Sequence, residues 1–360
     1  MTAPSLAAPP ADLSAVQDRV EAVLRHFLGQ KIRTAVEGCL PDDVPRALHG
    51  FLHAGGKRLS PLLCVVGWQA AGGHGDSAPV ARVAAGLELF HAFCLIHDDN
   101  MDNSATRRRR PAVHRALAHR HPAPDSEDAA WWGICGAILA GDMALAWSQE
   151  LLDTTVSPPA RRAALNQVLQ TMRQEVTYGQ HLDLLAPHKP ATDLDTTLRV
   201  IRYKTAKYTV ERPLHTGAVL AGADQGLLDA LSRYALPLGE AFQLRDDVLG
   251  IYGTPKQTGK PVLDDLREGK HTVLLALAAQ RATPTQRALL DRLVGQRALD
   301  EAGAARIRQV LEATGARSTV EAMIATRYQQ ALAALQNTPC PPVSITALRR
   351  IAALAVERTS

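Results

Sequence analysis

Residues 79–102, PVARVAAGLELFHAFCLIHDDNMD, join a long apolar helix pattern to an abrupt acidic end. The pattern predicts a helix with one face in a core, because apolar residues recur every three or four positions: Val80, Val83, Ala84, Leu87, Phe90, Cys94 and Leu95. Asp98, Asp99 and Asp102 close this segment, with Asp98 and Asp102 one turn apart on the same face. Carboxylates at this spacing repel each other beside the exposed carbonyls of a helix end. A compensating cation is therefore expected.

A second apolar helix pattern, residues 227–242, also runs into polar and acidic residues. Gln243 and Asp247 lie one turn apart, with Asp246 between them. The glycine-containing stretch GIYGTPKQTGKPVLDDLREGK follows at 250–270. Mg²⁺ prefers oxygen ligands and is held by one or two carboxylates plus substrate phosphates. Two acid-ended helices facing one cavity are suited to that purpose, whereas either cluster alone is equally typical of a solvated helix end.

Four consecutive arginines, residues 107–110, follow the first acidic cluster. They place anion-binding groups beside metal-binding groups, as a metal–diphosphate complex requires. The alternatives are a basic surface patch or a nucleic-acid site, and the latter would bind with strong salt dependence. A formal net charge of only +4 and the lack of a nucleic-acid-binding motif argue against a nucleic-acid-binding protein.

Composition favours an all-α fold. Apolar residues make up 46% of the 360-residue chain and aromatic residues only 4%, with alanine and leucine abundant. Helical periodicity recurs from about residue 13, broken by loops rich in glycine or proline at 72–79, 121–126, 187–193 and 253–269. We predict a flexible leader over 1–12, then one domain of ten or more helices over 13–360. Helix starts are expected at Thr283 and Ser344.

The five cysteines are widely spaced and never form a C-x-x-C pair, which predicts neither disulfides nor a zinc site and fits a reducing cytoplasm. The most apolar later stretch, residues 129–141, is shorter than the roughly 20 residues of a membrane span. It is interpreted as a buried helix, with no membrane span. Trp131, Trp132 and Trp147 are expected in a core or an interface.

With these residues in view, the chain resembles the trans-isoprenyl diphosphate synthases, the polyprenyl synthetase family, and within it the geranylgeranyl diphosphate synthases. Four motifs carry the resemblance in order: GGKRLSP at 55–61, HAFCLIHDDNMDNSATRRRRPAVH at 91–114, YKTAKY at 203–208 and FQLRDDVLGIYGTPKQTGKPVLDDLREGKHT at 242–272. A single D-D-x-x-D is weak evidence, but four ordered motifs are specific.

The resemblance implies an all-α isoprenoid synthase fold around a central cavity. It also implies a homodimer that condenses isopentenyl diphosphate with allylic diphosphates, head to tail, using three Mg²⁺ ions. The implied metal residues are Asp98, Asp102 and Asp246, supported by Asp99, Asp247 and Asp264. The implied allylic site comprises Arg107, Lys204, Thr205, Gln243 and Lys260. The implied isopentenyl diphosphate site comprises Lys57, His91 and Arg108, and Gln180 and Asp183 match a helix that lines the family's cavity.

Three positions depart from the family pattern. Ser60 stands where the family has a phosphate-binding arginine, which leaves Arg58 as the candidate to reach the isopentenyl diphosphate. Arg109 replaces the usual glycine after the first acidic cluster. Gly250 replaces the last aspartate of the second cluster, with Asp264 available nearby.

The resemblance also implies a product length. In the family, the residues four and five places before the first aspartate form the floor that stops chain growth, and here they are Cys94 and Phe93. One small and one aromatic residue resemble the C20, geranylgeranyl type. A farnesyl or longer polyprenyl diphosphate synthase, a non-catalytic regulatory subunit and a class I terpene cyclase remain the alternatives.

Overall fold

The computed structural model describes residues 13–153, 158–188, 191–254 and 263–356, and nearly all regular structure in them is helical. This confirms the all-α prediction. The predicted leader, 1–12, lies outside the described residues. The helices are α1 Leu13–Glu37, α2 Asp43–His53, α3 Leu59–Ala70, α4 Ala78–Met101, α5 Val113–Ala118, α6 Glu127–Asp153, α7 Pro159–Leu185, α8 Leu194–Val200, a π-helix Ile201–Glu211, α9 Arg212–Ala221, α10 Gln225–Tyr252, α11 Asp264–Glu268, α12 Val273–Arg281, α13 Pro284–Leu293, α14 Glu301–Ala313, α15 Ala316–Ala334 and α16 Pro342–Val356.

Helix boundaries test the predicted start signals. Thr283 and Gln286 cap each other's backbone in a capping box, which confirms the predicted start of α13. The last helix begins at Pro342, so Ser344 lies inside its first turn, and the predicted start was two residues late. The predicted 253–269 loop contains α11, whose first turn holds Asp264 and Asp265, where carboxylates are favoured by the exposed amides.

The core consists of two apolar clusters. One is built mainly from α1, α2, α4, α6 and α7 and includes Leu24, Leu87 and Phe90. The other is built mainly from α10 and the helices that follow it, and its largest fully buried side chain is Tyr234. The Tyr234 hydroxyl donates to the Leu348 carbonyl at 2.8 Å, which satisfies the polar end of a buried ring. Residues of α3 and the π-helix belong to both clusters and connect them.

A short antiparallel hairpin follows α4 and aims the arginine run. Thr106–Arg107 pairs with Arg110–Pro111, and the two turn residues, Arg108 and Arg109, have φ values of 52° and 62°. Two positive φ angles are the signature of a type I′ turn, where glycine or asparagine is preferred. The hairpin thus holds two arginines in a left-handed conformation and directs Arg107 and Arg108 toward the end and middle of α4.

Two helices, α4 and α6, are long and apolar enough to cross a bilayer by length and composition. The apolar window of α4 is 67% buried, as in a core helix, but that of α6 is only 33% buried. The prediction of a buried helix over 129–141 is therefore right for one face and wrong for the other. Ala137 and Ala140 are fully buried, whereas Trp131 and Leu139 are 67% and 60% exposed.

Candidate active site

A cavity of about 450 Å³ brings the two acidic clusters together. It is bordered by α3, α4, α7, the π-helix and α10, and by residues near α11. The predicted site residues that line it are Lys57, Arg58, His91, Cys94, Asp98, Arg107, Arg108, Gln180, Asp183, Lys204, Thr205, Gln243, Asp246 and Asp247. Phe93, Asp99, Asp102 and Asp264 are not part of the lining, and Lys260 lies outside the described residues.

Lys204 joins the first acidic cluster to α7. Its Nζ atom donates to Asp98 Oδ1 at 2.7 Å and to Asp183 Oδ2 at 2.5 Å. Gln180 Nε2 approaches the same Asp98 oxygen at 3.3 Å. Burial alone would raise the pKa of Asp98, but Lys204, Lys270 and Arg107 outweigh it and hold that pKa well below its usual range. Asp98 is therefore an ionised, cation-binding carboxylate.

Asp99 points away from the cavity and orients Arg107. The Arg107 Nε atom donates to Asp99 Oδ1 at 2.8 Å, and Nη2 bonds the same oxygen. Arg107 Nη2 also lies 3.4 Å from Asp98 Oδ2. Asp99 is 1% exposed, and this forked ion pair supplies the hydrogen bonds of a buried carboxylate. The geometry agrees with a supporting role for Asp99 and places the guanidinium at the cavity.

A hydrogen-bonded chain links the π-helix to the second acidic cluster. Thr205 Oγ1 donates to Gln243 Oε1 at 2.8 Å, and Gln243 Nε2 donates to Asp247 Oδ1 at 2.8 Å. The chain fixes the orientation of the Gln243 amide. Burial raises the pKa of Asp247 to about 7, although the Gln243 hydrogen bond acts in the opposite direction. The pKa of Asp247 is thus raised, whereas that of Asp98 is lowered.

Lys270 lies between the two clusters. Its Nζ atom is 3.6 Å from Asp102 Oδ2, 3.6 Å from Asp265 Oδ1 and 3.5 Å from Glu268 Oε2. These distances are those of ion pairs rather than direct hydrogen bonds. Burial, with the nearby charge of Asp98, raises the pKa of Asp102 to about 6. One lysine thus approaches carboxylates from both acidic regions.

Asp265, rather than the predicted Asp264, faces the position that Gly250 leaves open. A Cβ atom on residue 250 would lie 2.0 Å from Asp265 Oδ2, so the carboxylate fills the space of a missing side chain. Asp265 also lines the cavity. Asp264 instead lies 3.7 Å from Arg267 on the same short helix. Adjacent residues of a helix point about 100° apart, which is why only one of the two faces the site.

The acidic residues fit a divalent cation, although none of the described residues forms a ready-made cluster of three metal-binding side chains. Among the described residues, the buried atoms Asp102 Oδ2 and Glu268 Oε2 have no hydrogen-bond partner, and the pKa values of Asp102 and Asp247 are raised. Crowded carboxylates that lack full compensation, with oxygen donors only, suit Mg²⁺ completed by substrate phosphates.

A second group of cations lies on the opposite side of the cavity. It comes from the glycine-rich segment before α3 and from the hairpin turn. Arg58 is 3% exposed and donates to Glu21 Oε1 at 2.7 Å, to Glu88 and to the Leu52 carbonyl at 2.5 Å. Arg108 lies 3.5 Å from Glu88 Oε1 and stacks over the Phe51 ring. Arg58 is committed to two carboxylates. The expectation that it replaces the missing arginine therefore has no support in its contacts.

Ser60 and His91 complete this side. Ser60 Oγ donates to the Thr209 carbonyl at 3.2 Å. His91 Nδ1 lies 3.1 Å from the Tyr208 hydroxyl, and burial lowers the pKa of His91 to about 4, so the ring is neutral. A neutral imidazole can hydrogen-bond a phosphate but adds no charge. The cations directed at this side are Lys57 and Arg108.

Of the two predicted floor residues, Cys94 lines the cavity and Phe93 does not. The Phe93 ring packs edge-on against His97, with centroids 4.8 Å apart, and against Phe90 at 5.5 Å. Successive helix positions point about 100° apart, and here the Phe93 side chain is directed toward His97 and Phe90 while Cys94 faces the cavity. Leu95 and Val176 supply the neighbouring apolar lining.

Sequence reasoning missed Glu88, Asp265 and Tyr208 as members of the site. Glu88 carried a signal, since an acid inside an apolar helix pattern is rarely buried without a cationic partner. Tyr208 lies inside a motif already singled out. Asp265 could not be separated from Asp264 without the path of the loop.

Known proteins share this architecture. The family model described as Polyprenyl synthetase matches residues 42–313. A geranylfarnesyl diphosphate synthase from Aeropyrum pernix is 34% identical over 72% of this chain and 77% of its own length. A (2E,6E)-farnesyl diphosphate synthase from Mycobacterium tuberculosis is 33% identical over 84% of this chain and 80% of its own.

Solved structures also match this chain. A crystal structure of a geranylgeranyl pyrophosphate synthase from Corynebacterium glutamicum, complexed with isoprenyl diphosphate and magnesium, superposes with a TM-score of 0.91. It is 40% identical and covers 97% of this chain and 100% of its own. The fold of this chain is thus similar to that of a solved geranylgeranyl pyrophosphate synthase over nearly its whole length.

Proposed function

This chain belongs to the polyprenyl synthetase family, and we propose that it condenses isopentenyl diphosphate with allylic diphosphates to give geranylgeranyl diphosphate. It is a trans-prenyltransferase that makes short-chain products. The observation that carries the proposal is the single cavity in which Asp98 and Asp246 meet Arg107, Lys204 and an apolar wall.

The allylic diphosphate binds at the acidic end of the cavity. Arg107 and Lys204 supply fixed cations, held in place by Asp99 and Asp183. Asp98, Asp102 and Asp246 would hold Mg²⁺, with Asp265 alongside. When bound, Mg²⁺ would neutralise charge that develops on the departing pyrophosphate.

The reaction breaks the allylic carbon–oxygen bond and forms a carbon–carbon bond. Thr205, which lines the cavity, would steady the allylic cation through its oxygen atoms, while the apolar lining at Cys94, Leu95 and Val176 excludes water. Lys57, Arg108 and His91 hold isopentenyl diphosphate, whose double bond supplies the electron pair. The proton then lost passes to pyrophosphate, which balances the step.

Product length is the finer part of the proposal. The relatives include synthases named for geranylfarnesyl, geranylgeranyl and farnesyl products, so similarity alone does not select one. We assign the C20 product because Cys94 leaves the wall small at the first helical turn below Asp98, and Phe90 lies a further turn away.

The test incubates the purified protein with Mg²⁺, isopentenyl diphosphate and C5, C10 or C15 allylic primers, followed by mass measurement of the products. We expect a C20 diphosphate, no turnover after chelation of the metal, and shorter products from Cys94→Phe because the ring blocks the shaft. A wild-type product that remains C15, or a Cys94→Phe variant with unchanged products, would contradict the length assignment.

We also propose a homodimer formed in the cytoplasm by residues 13–360 acting as one domain. Unpaired cysteines are consistent with a reducing compartment. The exposed apolar face of α6, defined by Trp131, Ile138 and Leu139, supports self-association, because monomers rarely expose a continuous apolar stripe.

A further inference from the structure

The π-helix Ile201–Glu211 presents Lys204 and Thr205 to the cavity. π-helical turns are rare, mostly single, and frequent at functional sites. A π-helix of eleven residues is long for this conformation. Contacts from other elements must therefore hold the π-helix in place, and those contacts set the position of Lys204.

Two glycines let neighbouring helices touch the π-helix backbone. A Cβ atom on Gly179 of α7 would lie 2.4 Å from the Lys204 nitrogen. A Cβ atom on Gly239 of α10 would lie 2.5 Å from Ala206 Cα. Because neither distance accommodates a side chain, the backbone at Lys204 is in direct contact with α7.

Glu175 lies on α7 one turn before Gly179 and binds the π-helix from the same side. Its Oε1 atom accepts from Lys207 Nζ at 2.7 Å and from Arg212 Nη2 at 2.7 Å. Its Oε2 atom accepts from Arg212 Nε at 2.6 Å. One carboxylate thus joins a residue inside the π-helix to the first residue after it.

The three charged side chains that join α7 to the π-helix are mostly buried. The side chains of Glu175, Lys207 and Arg212 are 14%, 15% and 15% exposed. Burial acts to raise the pKa of Glu175, but hydrogen bonds from Arg212 and Lys207 outweigh it and lower that pKa. Glu211 lies at longer distances from the same two cations, 3.3 Å from Lys207 Nζ and 3.5 Å from Arg212 Nη2. Removal of Glu175 would therefore leave two buried cations to share one carboxylate, which is destabilising.

We propose that Glu175 is a positioning residue for the allylic diphosphate site. By holding Lys207 and Arg212 against α7, it fixes the π-helix so that Lys204 reaches Asp98 and Asp183. Glu175 is not part of the cavity lining, so it acts through the π-helix and not on the substrate. This role of Glu175 rests on the proposed function in one respect, which is that the site binds an allylic diphosphate.

The test measures steady-state kinetics for each substrate in Glu175→Gln and Glu175→Ala. We expect the KM for the allylic diphosphate to rise and kcat to fall by about 10- to 100-fold in Glu175→Ala, since displaced catalytic groups have effects of this order. Lys57 and Arg108, the cations of the isopentenyl diphosphate site, lie on other elements, and only neutral His91 contacts the π-helix, through Tyr208. The KM for isopentenyl diphosphate should therefore rise much less than the KM for the allylic diphosphate. Glu175→Gln, which keeps the size and one acceptor, should lie between Glu175→Ala and wild type.

Glu321→Gln is the matched control. Glu321 accepts two hydrogen bonds from Arg245, both at 2.8 Å, and neither residue lines the cavity. Loss of this ion pair should lower stability without changing the ratio of the two KM values. Glu175 variants that behave like this control, or that raise both KM values in parallel, overturn the proposal.

Amide hydrogen exchange on the substrate-free protein provides a readout independent of the reaction. We expect exchange in residues 201–211 to accelerate in both Glu175 variants and to remain unchanged in Glu321→Gln. If wild type fails to condense the two diphosphates, the proposed function fails, while this comparison still decides the role of Glu175. Exchange in 201–211 equal to that of wild type overturns the positioning role.

Discussion

Ser60 gives the second diphosphate site a hydroxyl where a cation would be expected from the family pattern. Its Oγ atom is occupied by the Thr209 carbonyl, and Arg58 is held by Glu21 and Glu88. The site therefore depends on Lys57 and Arg108, with neutral His91 beside them. Since charge-assisted hydrogen bonds are stronger than neutral ones, we expect weak binding of isopentenyl diphosphate.

Ser60→Arg should strengthen that binding. Ser60 lines the cavity, so an arginine at this position can extend into it and add a charge-assisted contact with the diphosphate. A contact of about 1.5–3 kcal/mol corresponds to a fall of tenfold or more in the KM for isopentenyl diphosphate. The KM for the allylic substrate should stay within about twofold. Steady-state kinetics with each substrate varied in turn measure both values.

Ser60→Met is the control for Ser60→Arg, because it adds length without charge and should not lower the KM. A Ser60→Arg enzyme whose KM for isopentenyl diphosphate equals that of Ser60→Met would show that the missing cation does not limit binding.

The site residues predicted from the sequence agreed best with the structure where a motif fixed both their spacing and their chemistry. Asp98, Asp246 and Lys204 line the cavity as expected. The agreement was poorest where only one of two adjacent side chains faces the cavity, as with Phe93 and Cys94 or Asp264 and Asp265. Helix phase and loop path decide such cases, and neither can be determined from residue type alone.

At the scale of elements, apolar periodicity predicted the helices but not the π-helix. A π-helix differs from an α-helix by one residue per hydrogen-bonded turn, so a short apolar pattern does not distinguish them. The deciding contacts come from α7 and α10, which are distant in sequence. Gly179 and Gly239 are informative only after those helices are known to face the π-helix.

Gly239→Ala should destabilise the fold. Its Cβ atom would lie 2.5 Å from Ala206 Cα, which forces the π-helix away from α10. We expect a loss of about 1–3 kcal/mol in the free energy of unfolding, the range typical of an overpacked core. Urea denaturation followed by circular dichroism measures it.

Gly50→Ala provides the opposite case on α2, where an added Cβ atom meets no atom within 4 Å. It should stabilise the protein by up to about 1 kcal/mol through helix propensity. Equal effects of the two substitutions would contradict the close contact at Gly239.

The whole molecule combines a well-filled core with one unusually apolar surface helix. The two core clusters meet through α3 and the π-helix, so the cavity between their helices is bordered by elements from both. The α6 face, in contrast, leaves three large apolar side chains in solvent. A stable interface typically buries about 1,600 Å² in total, and a long apolar helix is a natural centre for one.

Leu139→Asp should convert the proposed dimer into a monomer. Leu139 is 60% exposed at the middle of α6, so a carboxylate there would be desolvated without a partner in a two-fold interface. Light scattering after gel filtration should give half the wild-type mass, with helical circular dichroism unchanged. Leu354→Asp, at a side chain 61% exposed on α16, should leave the mass as in wild type. A wild-type mass equal to that of one chain, or a Leu139→Asp protein that keeps the wild-type mass, would refute the assignment of α6 as the dimer interface.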